Sequence, residues 1–198
     1  MEINVMTDPI LTRTITQDDL LALDAQHSDK IIEVENGDVI LGEHTMTYWH
    51  HKIIENLYDL LKPYAKLHQL GYVHGDGFRY IISQTGIDII TAYVPDLSFI
   101  KKERFPQNFD FTGDFIGTPN LAVEVISRGQ SYAQQLQKIS RYLEAGSDEA
   151  WLIHPDQHVL YQHKQDGEAF RYTIADTLES NLFPNLKIVL HDIFTPAP

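Results

Sequence analysis

The chain has 198 residues, 43% hydrophobic and 22% charged, with no cysteine and a formal net charge of −13. That is the make-up of one domain able to bury its own core, and the missing cysteines exclude disulfides, thiolate catalysis, zinc–thiolate sites and iron–sulfur clusters. The acidic balance argues against a broad cationic grip on nucleic acid; an acidic metal-dependent site acting on nucleic acid stays open.

The opening "MEINVMTDPILTRTITQDDL" has no basic segment leading into an apolar run, so no signal peptide is expected. No stretch approaches the roughly eighteen apolar residues of a membrane span. The expectation is a cytoplasmic protein without membrane association.

Thr16 followed by Asp19 marks a helix start with an acidic first turn. "KIIEVENGDVIL" reads as a hairpin turned by Asn36-Gly37. In "YWHHKIIENLYDLLKPYAKLHQLG", Ile53, Leu57, Leu60, Leu61 and Tyr64 recur at helical spacing. Gly71 is the expected stop there, and Pro63 is expected to kink the helix or end it early. Short strand-like runs follow in "GYVHG", "FRYIIS" and "IDIITAYVPDLSFI", then a long polar loop in "KKERFPQNFDFTGDFIGTPN". "NLAVEVIS" is a strand, and "QSYAQQLQKISRYLEAG" a helix with Leu136, Ile139, Tyr142 and Leu143 on one face and Gly146 at its end. "EAWLIHP", "HVLYQHK" and "AFRYTIA" read as successive strands, and "LKIVLHDIF" closes the chain before a loose tail at 194–198. A strand, the 131–145 helix and "EAWLI" in succession predict a βαβ crossover. The fold class expected is α/β, with a central mixed sheet flanked by helices in a single domain over residues 1–198.

Glu124 is the anomaly in this pattern. Leu121, Val123 and Val125 face one way, Ala122, Glu124 and Ile126 the other, and both faces are apolar, as in a strand covered on both sides. An ionised carboxylate there needs an arginine, hydrogen-bond donors or a metal ion. Asp96 has a similar setting, just after Pro95, which places it at the start of a strand. Pairing of adjacent strands would bring Asp96 and Glu124 together, and two such carboxylates suit a hard cation such as magnesium. The following helix supplies Lys138, able to reach back over the strand end, and Tyr142 one turn further on the same face.

"VPDLSFI", "PNLAVEVIS" and "QKISRYLEAGSDEAWLIHP", taken in order, resemble the Uma-type restriction endonuclease family, formerly grouped as a domain of unknown function, within the PD-(D/E)xK nuclease-like superfamily. The resemblance runs from Thr16 to Phe194. It implies a restriction-endonuclease-like core in which Asp96 is the Asp of the PD motif and Glu124 the second acidic residue, together holding Mg2+ or Mn2+. The lysine usual two positions after the Glu is replaced by Ile126, and Lys138 of the next helix takes that role. Glu33, in the early hairpin, is an additional acidic residue of the site, and His50 or His51 corresponds to a His that often opens the first long helix. The implied partners are nucleic acid, DNA above all, and a second copy of the chain in a homodimer. Three departures stand out: Ser127-Arg128-Gly129 after the strand, Ile153-His154-Pro155 after the Trp strand, and Gln134 where members carry an Asp four residues before the helical lysine.

Plainer readings exist for each residue. Glu124 could form a structural ion pair, Asp96 a turn after proline, Lys138 a solvated helix position, and Glu33 the outer face of a hairpin. Of His50 and His51, one packs and one is solvated, and no HExxH pattern is present. Trp49, Trp151 and the ten tyrosines read as core and surface aromatics rather than a base-stacking platform. Three functions compete: a metal-dependent endonuclease, a catalytically degenerate nuclease fold that binds nucleic acid, and a protein-interaction domain. The first is the expectation. Basic residues gathered around Asp96 and Glu124 would favour the first two, and scattered ones the third.

Overall fold

The computed structural model describes residues 14–43, 47–110, 112–127 and 129–195. Helix α1, Gln17–Gln26, begins at Thr16, whose hydroxyl accepts from the Asp19 N–H while the Asp19 carboxylate accepts from the Thr16 N–H, a reciprocal capping box. Strands β1, Lys30–Glu35, and β2, Asp38–Glu43, form the expected hairpin. Asn36 and Gly37 both take positive φ, 52° and 84°, which the two-residue turn requires.

Helix α2, Tyr48–Leu67, continues past Pro63 instead of ending there. Proline removes the hydrogen bond to the Asp59 carbonyl, but both residues lie on the exposed face where water serves that carbonyl. Ile53, Leu57, Leu61 and Ala65 bury the opposite face and hold the helix together. The stop comes from Gln69, at φ 53°, rather than from Gly71. Gly71 instead opens β3, Gly71–His74, where a Cβ would lie 2.0 Å from the Ile100 carbonyl oxygen, so only glycine allows this approach.

The remaining strands are β4, Tyr80–Thr85; β5, Asp88–Tyr93; β6, Leu97–Lys101; β7, Phe115–Ile116; β8, Leu121–Val125; β9, Glu149–His154; β10, Val159–Lys164; β11, Ala169–Thr173; β12, Thr177–Leu178; and β13, Ile188–Val189. Helix α3 is Tyr132–Glu144 and α4 is Leu190–Phe194. The polar stretch after β6 is therefore not all loop, since it contains β7 and a short 3-10 turn at Lys102–Arg104. Phe194, where the loose tail was expected to begin, is buried in the core, and residues 196–198 lie outside the described part.

Two mixed sheets replace the one expected. The first has the order β2-β1-β5-β4-β7, the second β11-β10-β9-β8-β6-β3, and β12 pairs with β13 alone. The chain crosses from the first to the second at Val94-Pro95-Asp96, between β5 and β6. The crossover β8-α3-β9 is parallel, with Leu121 opposite Glu149. α2 and α4 cover one face of the six-stranded sheet, burying Leu121, Val123 and Val125 with Trp151 and Phe183. On the other face α3 packs Ile139 and Tyr142 on Ala122, Ala150 and Leu152. α1 packs Leu20 on Ile32, Val34, Ile81 and Ala92 of the first sheet. Arg79 ties that helix down, reaching Asp24 at 2.7 Å and Asp114 at 3.0 Å.

Candidate active site

The chain's change of sheet sets up the site. Leu97 of β6 pairs with Val123 of β8 in antiparallel register, so Asp96 and Glu124 are the next residues facing one another along the same pair of strands. β1 lies against β5 through Val34 and Ala92, which brings Glu33 to the same seam from the other sheet. Alternation along β8 turns Glu124 toward α3, and the helical spacing of four puts Lys138 and Tyr142 above it.

The contacts form two neighbouring groups, one around Lys138 and the other around Asp96. Lys138 Nζ donates to Glu33 Oε1 at 2.9 Å and lies 3.2 Å from Glu124 Oε1 and 3.3 Å from Oε2. The Tyr142 hydroxyl donates to Glu124 Oε1 at 3.0 Å. Glu33 Oε1 also accepts the Val94 N–H at 2.9 Å. Asp96 Oδ2 accepts the Val125 N–H at 2.6 Å, and its Oδ1 lies 3.1 Å from His50 Nε2. The other ring nitrogen of His50 is bonded to the Ser127 hydroxyl, which fixes the ring, while Nε2 meets Asp96 at close range without hydrogen-bond geometry. Lys138 also sits over the Tyr93 ring at 5.1 Å.

Electrostatics follow from burial. Glu124 is 4% exposed, and burial pushes its pKa up to about 8 against the pull of Lys138, with Asp96 and Glu33 adding to the rise. Burial alone would lower Lys138, but Glu124 and Glu33 outweigh it and hold the ammonium above its ordinary value. Burial and the same carboxylates raise Tyr142, which stays a phenol able to donate. The site therefore holds a fixed cation between two glutamates, one of which keeps its proton near neutrality.

All four residues expected to act together are brought together: Asp96, Glu124, Lys138 and Glu33. The plainer reading of Lys138 as a solvated helix position fails, since it is the cation of the site. His50 is buried and His51 exposed. The contact of His50 with Asp96 went unread in the sequence, because an apolar helix face with one histidine looks the same whether or not a carboxylate lies opposite. Gln135, buried one turn before Lys138, also escaped notice, and its Oε1 has no hydrogen-bond partner among the described residues. Gln134, at the position of the missing Asp, is exposed. Ile126 packs against the α3 layer, and Arg128 lies outside the described residues.

Among the described residues no group of three or more His, Asp or Glu is gathered as a metal cage. The donor set that is present, two carboxylates on facing strands, fits a magnesium-type ion, which keeps several waters and takes further oxygens from a phosphate substrate. Among the described residues basic side chains do not crowd around it, the one sign that favours a protein-interaction domain. Besides Lys138 and Arg141, the lysines and arginines with carboxylate partners stand elsewhere, as in Arg79 with Asp24, Lys101 with Asp148 and Lys164 with Glu168. No helix of the described residues is long and apolar enough to cross a membrane.

Mixed sheets flanked by helices, with a parallel strand–helix–strand crossover in the larger, are the architecture of the restriction-endonuclease-like class. Residues 17–194 match the Uma2 family, described as "Putative restriction endonuclease", and the chain belongs to that family. The crystal structure of "a putative nuclease belonging to DUF820" from Anabaena variabilis ATCC 29413 matches with a TM-score of 0.74 at 20% identity, covering 91% of this chain and 97% of that one. That likeness concerns the fold. No curated protein matches the sequence. The family points to a nuclease acting on nucleic acid and implies a divalent metal in general terms.

Proposed function

We propose that the chain is an endonuclease that hydrolyses phosphodiester bonds of DNA, with Mg2+ or Mn2+ held by Asp96 and Glu124. The observation that carries this reading is Lys138 set between Glu33 and Glu124 at the junction of the two sheets, with Asp96 at the start of β6 near enough to raise Glu124. The metal, when bound, supplies a charge that polarises the phosphate and acidifies a water. Asp96 is pre-oriented for its part, one oxygen fixed by the Val125 N–H and the other facing His50. Glu124 must shed its proton to become a ligand, and Tyr142 fixes its orientation through Oε1. Lys138 keeps its charge at every working pH and offers an ammonium to a phosphate oxygen in the transition state. Glu33, anchored on the Val94 N–H, holds that ammonium in place. Cutting both strands of a duplex would take two copies of the chain, so a homodimer belongs to the proposal.

A second reading draws on one observation. Each carboxylate already has protein donors, Lys138, Tyr142 and the Val94 and Val125 N–H groups, so the cluster is self-sufficient without an ion. A catalytically degenerate fold that only binds nucleic acid or a partner would look this way. Incubation of supercoiled plasmid and of linear single strands with Mg2+ or Mn2+ at pH 8 separates the two. Cleavage that disappears in both Asp96→Ala and Lys138→Met supports the endonuclease. No cleavage of any substrate, or cleavage that survives Asp96→Ala, overturns it.

A further inference from the structure

A cleft outside the cluster has the chemistry of an unpaired nucleotide site. β3 is an edge strand of the six-stranded sheet, and Tyr72 and His74 on it, with Phe78 beyond its end, line two cavities of about 660 and 480 Å3. Each falls within the roughly 300–1,000 Å3 of small-ligand sites. The shared wall is Tyr72, His74 and Phe78. His74 and Phe78 are stacked at 4.4 Å with ring planes 23° apart, and Tyr72 meets Phe105 at 5.0 Å. Burial, with Lys62 nearby, keeps the His74 pKa below its ordinary value, so at neutral pH it presents a neutral ring. Its buried Nε2 has no hydrogen-bond partner among the described residues. Tyr72 is 48% exposed.

Charge complements the rings. Lys62 and Lys66 line the larger cavity and Lys102 the smaller, with Asp76 the acidic residue between the glycines of the first. Among the described residues none of the three lysines forms an ion pair with a carboxylate, in a chain of net charge −13. Lys62 bonds the Tyr58 hydroxyl and lies over that ring. Aromatic faces flanked by unpaired cations are the combination that holds single-stranded nucleic acid, bases stacking while the backbone tracks the charges. The position is apt: His74 pairs with Ser98, two residues beyond Asp96 on the strand that leads away from the cluster.

We infer that this cleft binds unpaired nucleotides of single-stranded nucleic acid, stacking bases on Tyr72 and the His74–Phe78 pair with Lys62, Lys66 and Lys102 along the phosphates. This deepens the nuclease reading and rests on it for its meaning, making substrates with unpaired segments the preferred ones. The test is fluorescence anisotropy of labelled dT12, U12 and a 12-base-pair duplex with the full chain in EDTA, for the wild type, Tyr72→Ala, Tyr72→Phe and Lys62→Gln/Lys66→Gln/Lys102→Gln. Single strands should bind more tightly than duplex. Tyr72→Ala should weaken them about tenfold while Tyr72→Phe retains binding. The lysine variant should flatten the salt dependence by about 2 in log–log slope. The dT12 and U12 arms tell DNA from RNA as the source. Equal affinity for duplex, no binding of either strand, or unchanged binding in Tyr72→Ala and the lysine variant would overturn the inference. Plasmid cleavage lost in Asp96→Ala but indifferent to Tyr72 would leave the nuclease standing without the cleft. Strand binding at Tyr72 without cleavage by any metal would leave the cleft standing without the nuclease.

Discussion

Replacing Glu124 with glutamine tests the electrostatics of the cluster without touching its shape. In the unfolded chain a glutamate ionises near 4.5, whereas burial holds Glu124 at about 8. Between those values the folded protein carries a proton that the unfolded chain has lost, so stability falls as pH rises. Below about 4.5 both forms are protonated and nothing is lost; above about 8 both are ionised and the penalty is complete. The displacement spans three and a half pH units, worth on the order of 5 kcal/mol at about 1.4 kcal/mol per unit. Glutamine mimics the protonated acid, still accepts from Tyr142 and leaves Lys138 paired with Glu33. Urea unfolding in EDTA from pH 5 to 8.5 should show Glu124→Gln and the wild type nearly equal at pH 5. The variant should then gain about 1.4 kcal/mol per pH unit, reaching a midpoint about 2 M higher at pH 8 for a slope of about 2 kcal/mol/M. A gap that stays constant with pH would refute the buried, protonated Glu124.

Lys138→Met removes the cation shared by Glu33 and Glu124. Breaking a buried pair costs about 3–5 kcal/mol, and the loss should be larger at pH 8.5 than at pH 5, where Glu124 keeps its proton; the same urea series reads it. Gly71→Ala would drive a Cβ to 2.0 Å from the Ile100 carbonyl oxygen and push β3 off β6, at a cost of about 2 kcal/mol or more. Hydrogen exchange should show the protection lost first at Tyr72 and Ile100, which pair across those strands. Thr16→Ala opens the capping box and should cost about 1 kcal/mol in thermal unfolding, with Thr16→Ser recovering most of it.

The sequence exposed the parts of the site that short-range rules control. Alternation along residues 121–126 isolates Glu124 as a polar group on a buried strand, and helical spacing sets Lys138 and Tyr142 on the face that covers it. Pairing of neighbouring strands then accounts for Asp96. What stayed hidden depends on how separate pieces meet. Glu33 was expected from the family resemblance alone, since its place beside Lys138 depends on β1 docking on β5 and the chain changing sheet at Pro95, which no local pattern announces. His50 joins because α2 lies over the start of β6, again a tertiary matter. Pro63 does not end the helix because packing of Ile53, Leu57 and Leu61 outweighs a lost hydrogen bond on the wet face. Tyr72 and His74 read as ordinary strand residues until the edge position of β3 left them facing a cleft.

The central claim is that Asp96 and Glu124 form a divalent-metal site. Titration calorimetry of the full chain with Mn2+, beside Asp96→Ala/Glu124→Ala, tests it most directly. The account predicts saturable binding in the wild type that disappears in the double variant, tightens as pH rises toward 8 and releases a proton at pH 7 as Glu124 ionises. No saturable binding at pH 8, or equal binding in the double variant, would contradict it and leave the carboxylates as partners of Lys138 alone.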